Sequence, residues 1–431
     1  MNIIQAKDFS IESLEASTDA ERIQAIDKAV LSIIENVRTK KDQALKEYSE
    51  AFDKVSLSNF QVTEAEFTKA MDEVSPAFIE AIEQAKKNIT DFHQRQRENS
   101  WMMYKEDGIM LGQKLTPMDR VGIYIPGGKA AYPSTVLMNA IPASIAQVGE
   151  IIMTTPPQPD GSVNPHVLVA AKIAGVNQVY KVGGAQAIAA LAYGTESIPA
   201  VDKIVGPGND YVARAKKWVY GDVAIDMIAG PSEILIIADE TAPAHYVAGD
   251  LLSQAEHDEA AKALCLTTSE RLAKEIKEEV EKQLQNLSRY EIASASIEKF
   301  GHIILCEDLE EAFQLANEIA PEHLQLMIEN ATDSLSKITH AGAIFLGNYS
   351  PEPLGDYLAG PNHTLPTSGT AKFASPLGVY DFVKKSSIIH YSETALLKEA
   401  EYIETIANME GLEAHAKSIA LRRLDKNKRK L

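Results

Sequence analysis

The chain has 431 residues, more than one ordinary hydrophobic core needs, so two or more domains are expected. Its hydrophobic fraction of 45% and charged fraction of 24% are typical of a soluble globular protein rather than a disordered one. The net charge of −19 argues against nucleic acid or an anionic membrane as the main partner, because both would be repelled.

The first hundred residues are predicted to be mostly helical scaffold. Residues 1–10 carry polar and acidic side chains where a signal peptide needs an apolar core, so we expect a cytoplasmic protein. From residue 20, apolar side chains recur at three- and four-residue spacing, and Ser75-Pro76 begins a further helix. No window reaches the roughly 18 apolar residues of a membrane span.

From residue 121 the pattern changes to short apolar runs that alternate with helices, and several are joined by glycine turns. Such alternation is typical of a parallel sheet flanked by helices. Cys265 and Cys306 fall within such runs and are interpreted as buried strand residues rather than a disulfide. After Tyr380 the glycines nearly stop, which predicts a small C-terminal helical domain. The predicted strands are 121–125, 151–154, 178–182, 203–205, 233–238, 263–267, 303–306, 324–328 and 343–346.

Three glycine turns follow predicted strands, at Pro126-Gly127-Gly128, Gly183-Gly184 and Gly206-Pro207-Gly208. Ligands of parallel sheets bind beyond the carboxyl ends of strands, where free N–H groups of a helix N-terminus favour a phosphate. None of the turns is the full dinucleotide fingerprint, so plain turn chemistry remains open for each of them. Three such turns in one half of the chain favour nucleotide binding.

Polar side chains in three separate segments of the chain are candidates for a metal site. Gln254 and His257 are three residues apart, which on a helix places an amide oxygen and an imidazole on one face. Such a pair alone is also typical of a surface hydrogen bond. Asp356, seven residues before His363, and His415 lie in similar polar clusters, and imidazole nitrogens with carboxylate and amide oxygens suit zinc without thiolates.

Glu322 and His323 are adjacent, directly before the apolar run 324–328. A carboxylate beside an imidazole at the start of a strand can provide two proton-transfer groups. The alternative is a pair at the strand edge that faces water.

Together these segments resemble the histidinol dehydrogenase family, and both the glycine turns and the polar clusters take part in the resemblance. It implies an α/β fold of two Rossmann-like, incomplete, aldehyde-dehydrogenase-like parallel-sheet domains with small helical N- and C-terminal domains. The matching stretches, in order along the chain, are 121–142, 182–194, 203–209, 226–239, 253–258, 317–324, 341–347, 354–379 and 410–415.

The resemblance also implies roles for individual residues. Gln254, His257, Asp356 and His415 would bind one Zn²⁺ per subunit, and Glu322 and His323 would be the acid–base residues. Ser232, His363 and Glu410 would hold histidinol together with the zinc ligands and the acid–base pair. Tyr124, Gln186 and Asn209 would contact NAD, of which two molecules are used per histidinol.

Domain organisation and assembly follow from the same resemblance. We expect a helical segment at 1–20, a first α/β domain of 21–124 with 232–376, a second of 125–231 on the NAD side, and a C-terminal domain of 377–431. The family is a homodimer in which this last domain reaches the partner, so Glu410 and His415 would complete the other subunit's site.

Three alternatives remain at this point. A relative could oxidise another small polar alcohol with the same apparatus. A zinc hydrolase could use Glu322 to activate water, although the glycine turns argue against it. A structural zinc protein is the third possibility, but structural zinc is usually bound by cysteine and histidine alone.

Overall fold

The structure is a computed structural model that describes residues 1–14, 20–127 and 131–428. The chain forms two compact units. Unit 1 comprises Met1–Arg97 with Met118–Phe382, and unit 2 comprises Glu98–Pro117 with Val383–Leu431. Since Gly128 lies outside the described residues, the first glycine turn is described only through Gly127.

The strands and helices are numbered in chain order. The strands are β1 (Asn2–Gln5), β2 (Trp101–Lys105), β3 (Ile109–Pro117), β4 (Arg120–Tyr124), β5 (Glu150–Thr155), β6 (Gln178–Lys181), β7 (Lys203–Val205), β8 (Ala224–Ile225), β9 (Glu233–Ala238), β10 (Lys262–Thr267), β11 (Gly301–Leu305), β12 (His323–Met327), β13 (Ala343–Leu346) and β14 (Val383–His390). The α-helices are α1 (Ala20–Lys40), α2 (Asp42–Tyr48), α3 (Glu64–Glu73), α4 (Pro76–His93), α5 (Pro133–Ile145), α6 (Pro165–Ala174), α7 (Gly184–Tyr193), α8 (Asp210–Val219), α9 (Ala244–Ala255), α10 (Glu270–Leu284), α11 (Tyr290–Phe300), α12 (Leu309–Ile319), α13 (Glu352–Tyr357), α14 (Glu393–Met409) and α15 (Glu413–Lys428).

Unit 1 contains two parallel sheets, which confirms the predicted α/β class. The larger has the strand order β1-β11-β10-β9-β12-β13, and the smaller has the order β6-β5-β4-β7-β8. Every neighbouring pair in both sheets is parallel. Strands β9 and β12 are buried along their whole length, as expected for central strands covered by helices on both faces.

Helices α1 and α2 pack on the five-stranded sheet. Ile26, Val30 and Leu45 share a hydrophobic core with Ile152 and Ile204 of that sheet. Separate clusters of buried side chains cover the six-stranded sheet, one on the side of α9 and α10 and another on the side of α12. Because both sheets belong to one compact unit, the predicted domain boundaries stay a prediction.

Two segments differ from the helical prediction at the ends of the chain. Residues 2–5 form β1, which pairs in parallel with β11, because Ile3 and Ile4 extend the sheet rather than starting a helix. Residues 383–390 form β14, which pairs antiparallel with β3. This strand includes two lysines and two serines, so its hydrophobic pattern was too weak to be predicted.

Unit 2 is built from a three-stranded antiparallel sheet of order β14-β3-β2 and the helices α14 and α15. Ser392 caps α14 by accepting a hydrogen bond from the Ala395 backbone N–H. Among the helices that the structure describes, none combines the length and apolar character that a membrane span requires.

Candidate active site

The predicted acid–base pair lies at the amino ends of the central strands of the six-stranded sheet. His323 is the first residue of β12 and lies opposite Ile234 of β9. In a parallel pairing the preceding residues, Glu322 and Glu233, are therefore neighbours as well. The Glu322 backbone is fixed on its other side, because its carbonyl accepts a hydrogen bond from the Ala343 N–H at 2.8 Å.

Both side chains of the pair are held by the backbone of Glu233. Its N–H donates to Glu322 Oε2 at 2.8 Å, and its carbonyl oxygen lies 2.9 Å from His323 Nδ1. A carbonyl only accepts, so Nδ1 carries the proton in the neutral ring and Nε2 keeps a free lone pair. Within the described chain this buried Nε2 has no hydrogen-bond partner. The predicted alternative, a pair facing water, is therefore wrong for this structure.

Burial shifts both groups toward their neutral forms. It raises the pKa of Glu322 well above the usual range of a carboxyl group, although the Glu233 N–H opposes this shift. Burial also lowers the pKa of His323, against the negative charge of Asp356, which raises it. A neutral imidazole with a free Nε2 is able to accept a proton at neutral pH.

Two carboxylates from α13 face His323 Nε2. Glu352 Oε1 and Asp356 Oδ1 each lie 3.9 Å from this nitrogen. They are four residues apart on one helix, so they lie on the same face. Glu352 is buried, and its Oε1 has no hydrogen-bond partner among the described residues. Burial, together with the charge of Asp356, raises the pKa of Glu352 to about 9.

Glu352 was missed by the sequence analysis, which named only Asp356 in this segment. The signal that could have identified it is its position one helical turn before Asp356. Neighbouring polar residues hold Glu352 in place by hydrogen bonds. Its N–H donates to Gln325 Oε1 at 3.0 Å, and its Oε2 accepts from the Ser253 hydroxyl at 3.3 Å. Gln325 in turn donates to Asp250 Oδ2 at 2.8 Å.

Of the other predicted ligands and substrate residues of unit 1, His257 and His363 lie close to Asp356. Gln254 lies in the last turn of α9, and its Oε1 is buried with no hydrogen-bond partner in the described part of the chain. Burial lowers the pKa of His257, while the charge of nearby Asp356 raises it. His363 Nδ1 lies 3.7 Å from Asp356 Oδ1, and His363 Nε2 lies 3.1 Å from the Thr135 hydroxyl.

Ser232 directly precedes Glu233, the residue whose backbone holds the acid–base pair. Unit 2 contains the other two predicted residues. Glu410 follows α14, His415 lies in α15, and both are exposed. Their places in a site stay predictions.

The donor set fits a metal ion. One ligand atom each from His323, Glu352 and Asp356 lies within 4.8 Å of the others. Gln254 Oε1 is also buried with no hydrogen-bond partner among the described residues, and a buried polar atom in that state is unfavourable. Nitrogen and oxygen donors of this kind suit zinc. This cluster shares only Asp356 with the predicted ligands, so the metal has two competing assignments.

The predicted cofactor residues lie at the carboxyl ends of the five-stranded sheet. Tyr124 ends β4 and is buried, which raises its pKa to about 12, and its hydroxyl accepts from the Gly184 N–H at 3.1 Å. Gln186 is buried in the first turn of α7. Asn209 caps α8 by accepting from the N–H groups of Tyr211 and Val212.

The glycines of these turns stand where side chains have no room. A Cβ on Gly127 would lie 2.5 Å from Pro156 Cγ, and one on Gly183 would lie 2.5 Å from Pro156 Cβ. A Cβ on Gly206 would lie 2.2 Å from the Tyr124 carbonyl oxygen. The turns that follow β4 and β6 are thus both packed against Pro156, and the turn that follows β7 is packed against Tyr124. This end of a parallel sheet is where nucleotides usually bind.

Comparisons with known proteins agree with the motifs. The family model described as histidinol dehydrogenase matches residues 16–423. The chain is 59% identical to a histidinol dehydrogenase of Oceanobacillus iheyensis, over 94% of this chain and 95% of that one. It is 56% identical to one of Bacillus cereus, over 93% of each chain. The crystal structure of histidinol dehydrogenase from Elizabethkingia anophelis matches with a TM-score of 0.89 and 42% identity, covering 93% of this chain and 92% of that one. The resemblance is confirmed: this chain belongs to the histidinol dehydrogenase family.

Proposed function

We propose that this chain oxidises L-histidinol to L-histidine through bound L-histidinaldehyde, as the last step of histidine biosynthesis. The single observation that carries the proposal is the orientation of His323. Its Nδ1 faces the Glu233 carbonyl, so its buried Nε2 is left as a proton acceptor. The names of relatives sharing more than half of their residues with this chain support the choice of substrate.

Proton transfer is assigned to the two residues held by Glu233. His323 accepts the alcohol proton through Nε2 while the first hydride leaves the substrate carbon. In its ionised form, Glu322 then removes a proton from the water molecule that attacks the aldehyde, and its raised pKa makes this carboxylate a stronger base than an exposed one. Once His323 has released the first proton to solvent, its Nε2 accepts a proton again as the hydrate loses the second hydride. Burial of both side chains excludes bulk water and keeps the reactive aldehyde in place.

Tyr124, Gln186 and Asn209 are proposed to hold NAD against the glycine turns. NAD supplies the hydride acceptor, and two molecules are needed in succession because alcohol and aldehyde each lose one hydride. The places of these residues support this assignment, since Tyr124 ends β4, Gln186 lies in the first turn of α7 and Asn209 caps α8, all at the end of a parallel sheet where nucleotides usually bind.

Gln254, His257, Asp356 and His415 are proposed to hold one Zn²⁺ per subunit. When bound, zinc supplies a Lewis acid that orients the nitrogen-rich substrate. Ser232, His363 and Glu410 are proposed to hold the substrate beside it. We assign His323 to proton transfer rather than to the metal, because its Nε2 cannot donate one lone pair to both. Glu352 then remains as a carboxylate that supports the site from α13.

The active form is proposed to be a homodimer in which Glu410 and His415 complete the partner's site. Exposed apolar side chains in α14 support this, since Tyr402, Ile406 and Met409 are 73%, 61% and 86% exposed. If the site is shared, mixing an inactive His415 variant with an inactive Glu322 variant restores part of the activity in hybrid dimers. No recovery after verified subunit exchange would argue against sharing. The cytoplasmic location and the predicted domain boundaries stay predictions.

The yield of NADH per histidinol consumed tests the proposed reaction directly. We expect a ratio near two with the zinc-loaded protein, because both oxidations occur before release. A ratio near one would reject the second oxidation, and no NADH would reject the dehydrogenase. An amino alcohol without the imidazole ring is the matched control, and its oxidation at an equal rate would favour the broader alcohol oxidation considered above.

A further inference from the structure

A buried ion pair lies behind the glycine turn that follows β7. Lys216 in α8 and Asp226 after β8 have side chains that are 3% and 1% exposed, and Lys216 Nζ is in contact with Asp226 Oδ1. Burying two charges costs more than their attraction usually returns, so such a pair is weak as a stabilising device. A role in shaping its surroundings is the better explanation.

Both members of the pair bind the backbone of Gly206. Lys216 Nζ donates to the Gly206 carbonyl oxygen at 2.9 Å, and the Gly206 N–H donates to Asp226 Oδ2 at 2.7 Å. The pair thus holds the two polar backbone atoms of one residue. Gly206 has a φ of +112°, a conformation that only glycine adopts readily, so the turn needs support from outside.

Gly206 is the first residue of the turn 206–209, which ends in Asn209. Gly206 packs against Tyr124. Tyr124 in turn accepts a hydrogen bond from Gly184 in the neighbouring turn. A shift of Gly206 would therefore move the cap of α8 and disturb the contact that joins two turns.

Asp226 also binds the segment that leads to the proposed substrate residue Ser232. Its Oδ1 also accepts from the Met227 N–H at 2.6 Å, which fixes the start of the segment leading to Ser232. One carboxylate thus anchors the turn proposed for the cofactor and the segment proposed for the substrate.

We infer that Lys216 and Asp226 are positioning residues for cofactor binding, which hold the turn 206–209 in the shape that receives the nucleotide. The inference rests on the proposed use of NAD. Neither side chain reaches the ligand, because both are enclosed by protein. The pair therefore acts on the affinity for the cofactor through the Gly206 backbone, and it takes no part in proton transfer.

Lys216→Met tests the inference, since methionine is apolar and unbranched but cannot bind the Gly206 carbonyl. We expect the KM for NAD and the Kd for NADH to rise about tenfold, the usual effect of losing a hydrogen bond from a charged group. Kcat at saturating NAD is expected to change less than about twofold, because the acid–base pair is untouched. Lys217→Met is the matched control, as Lys217 is the next residue of α8 and is exposed.

NADH binding is measured first by fluorescence titration of the unmodified protein. No binding there would reject the proposed cofactor, whereas binding that is equally tight in Lys216→Met would overturn this inference alone. A loss of thermal stability with an unchanged KM for NAD would overturn it as well, because the pair would then be only structural.

Lys216→Met combined with Asp226→Asn covers the case in which the single variant does not fold. The double variant leaves no buried charge unpaired and keeps an acceptor for the Gly206 N–H. We expect a weaker Kd for NADH in this variant too. Wild-type affinity, or failure of both variants to fold, would assign the pair to stability and overturn the inference.

Discussion

The two parallel sheets of unit 1 present their candidate functional groups at opposite ends of their strands. In the six-stranded sheet, Glu322 and His323 stand at the amino end of β12, beside the amino end of β9. In the five-stranded sheet, Gly127, Gly183 and Gly206 follow the carboxyl ends of β4, β6 and β7. The carboxyl end is the usual place for a nucleotide, so only the second region follows the general rule for such sheets.

The two regions also differ in the polar groups that they contain. Around β12 there are buried polar atoms without hydrogen-bond partners in the described chain, including His323 Nε2 and Gln254 Oε1, which are suited to a metal and a reacting substrate. Around β4, β6 and β7 the turns contain glycines, and the N–H groups of Gly184 and Gly206 are held by Tyr124 and Asp226. One region is therefore expected to determine the chemical steps, and the other to determine cofactor affinity.

His257→Asn gives the largest expected effect in the first region. Loss of one predicted ligand should remove zinc and activity together, while the affinity for NADH is retained. Elemental analysis and NADH formation measure both losses on the same sample. His245→Asn is the control, because His245 is exposed in α9, the helix that precedes His257. Full zinc in the His257 variant would remove this residue from the ligand set.

Glu322→Gln should separate the two oxidations. Water must be activated only after the aldehyde forms, so we expect aldehyde oxidation to slow by about 10²–10⁴ and the first hydride transfer to slow much less. Single-turnover measurements starting from histidinol and from histidinaldehyde give the two rates. Glu329→Gln, an exposed carboxylate close after β12, serves as control. Equal losses of rate in both steps would argue against a role for Glu322 in aldehyde oxidation alone.

Glu352→Gln tests whether the buried carboxylate on α13 supports the metal or binds it. As a supporting group it should weaken zinc affinity by about tenfold, with activity restored when zinc is added in excess. Competition with a chelator measures the affinity, and Glu278→Gln in α10 is the exposed control. Complete loss of zinc that excess metal does not reverse would instead make Glu352 a ligand.

The smallest expected effect is the position of the acid limb in the pH dependence of kcat. His323 must be neutral to accept a proton, so the rate rises with pH through its pKa and then levels off. Burial lowers this pKa, which places the acid limb below the ordinary value of 6.5 for histidine. Zinc content is measured at each pH, so that protonation of the ligands is not mistaken for titration of the base. An acid limb above 6.5 at constant zinc would contradict the assignment.

Much of the fold followed from hydrophobic pattern alone. The runs that became β9, β10 and β12 are mostly apolar, and such runs predict buried parallel strands. Strands β1 and β14 were not predicted, because a short edge strand and a strand rich in lysine and serine are specified by their partners rather than by their own pattern.

The sequence predicted only those parts of the site whose residues are close together in the chain. Glu322 and His323 are adjacent in the sequence, so their association needed no tertiary information. The place of Glu352 beside His323 and the hydrogen bond from Lys216 to Gly206 both arise from contacts between residues in different elements of the fold. Composition and spacing do not reveal such contacts. The free Nε2 of His323 is likewise a property of the fold, since it follows from the register that places the Glu233 carbonyl beside Nδ1.

The central claim is that the lone pair of His323 Nε2 is reserved for proton transfer while the metal is held by other side chains. Anomalous X-ray diffraction at the zinc edge, from crystals of the zinc-loaded protein, tests this most directly. We predict a peak about 2.0–2.2 Å from a ring nitrogen of His257 and a carboxylate oxygen of Asp356, with His323 outside bonding distance. A peak bonded to His323 Nε2 and Glu352, with His257 unbound, would contradict the account.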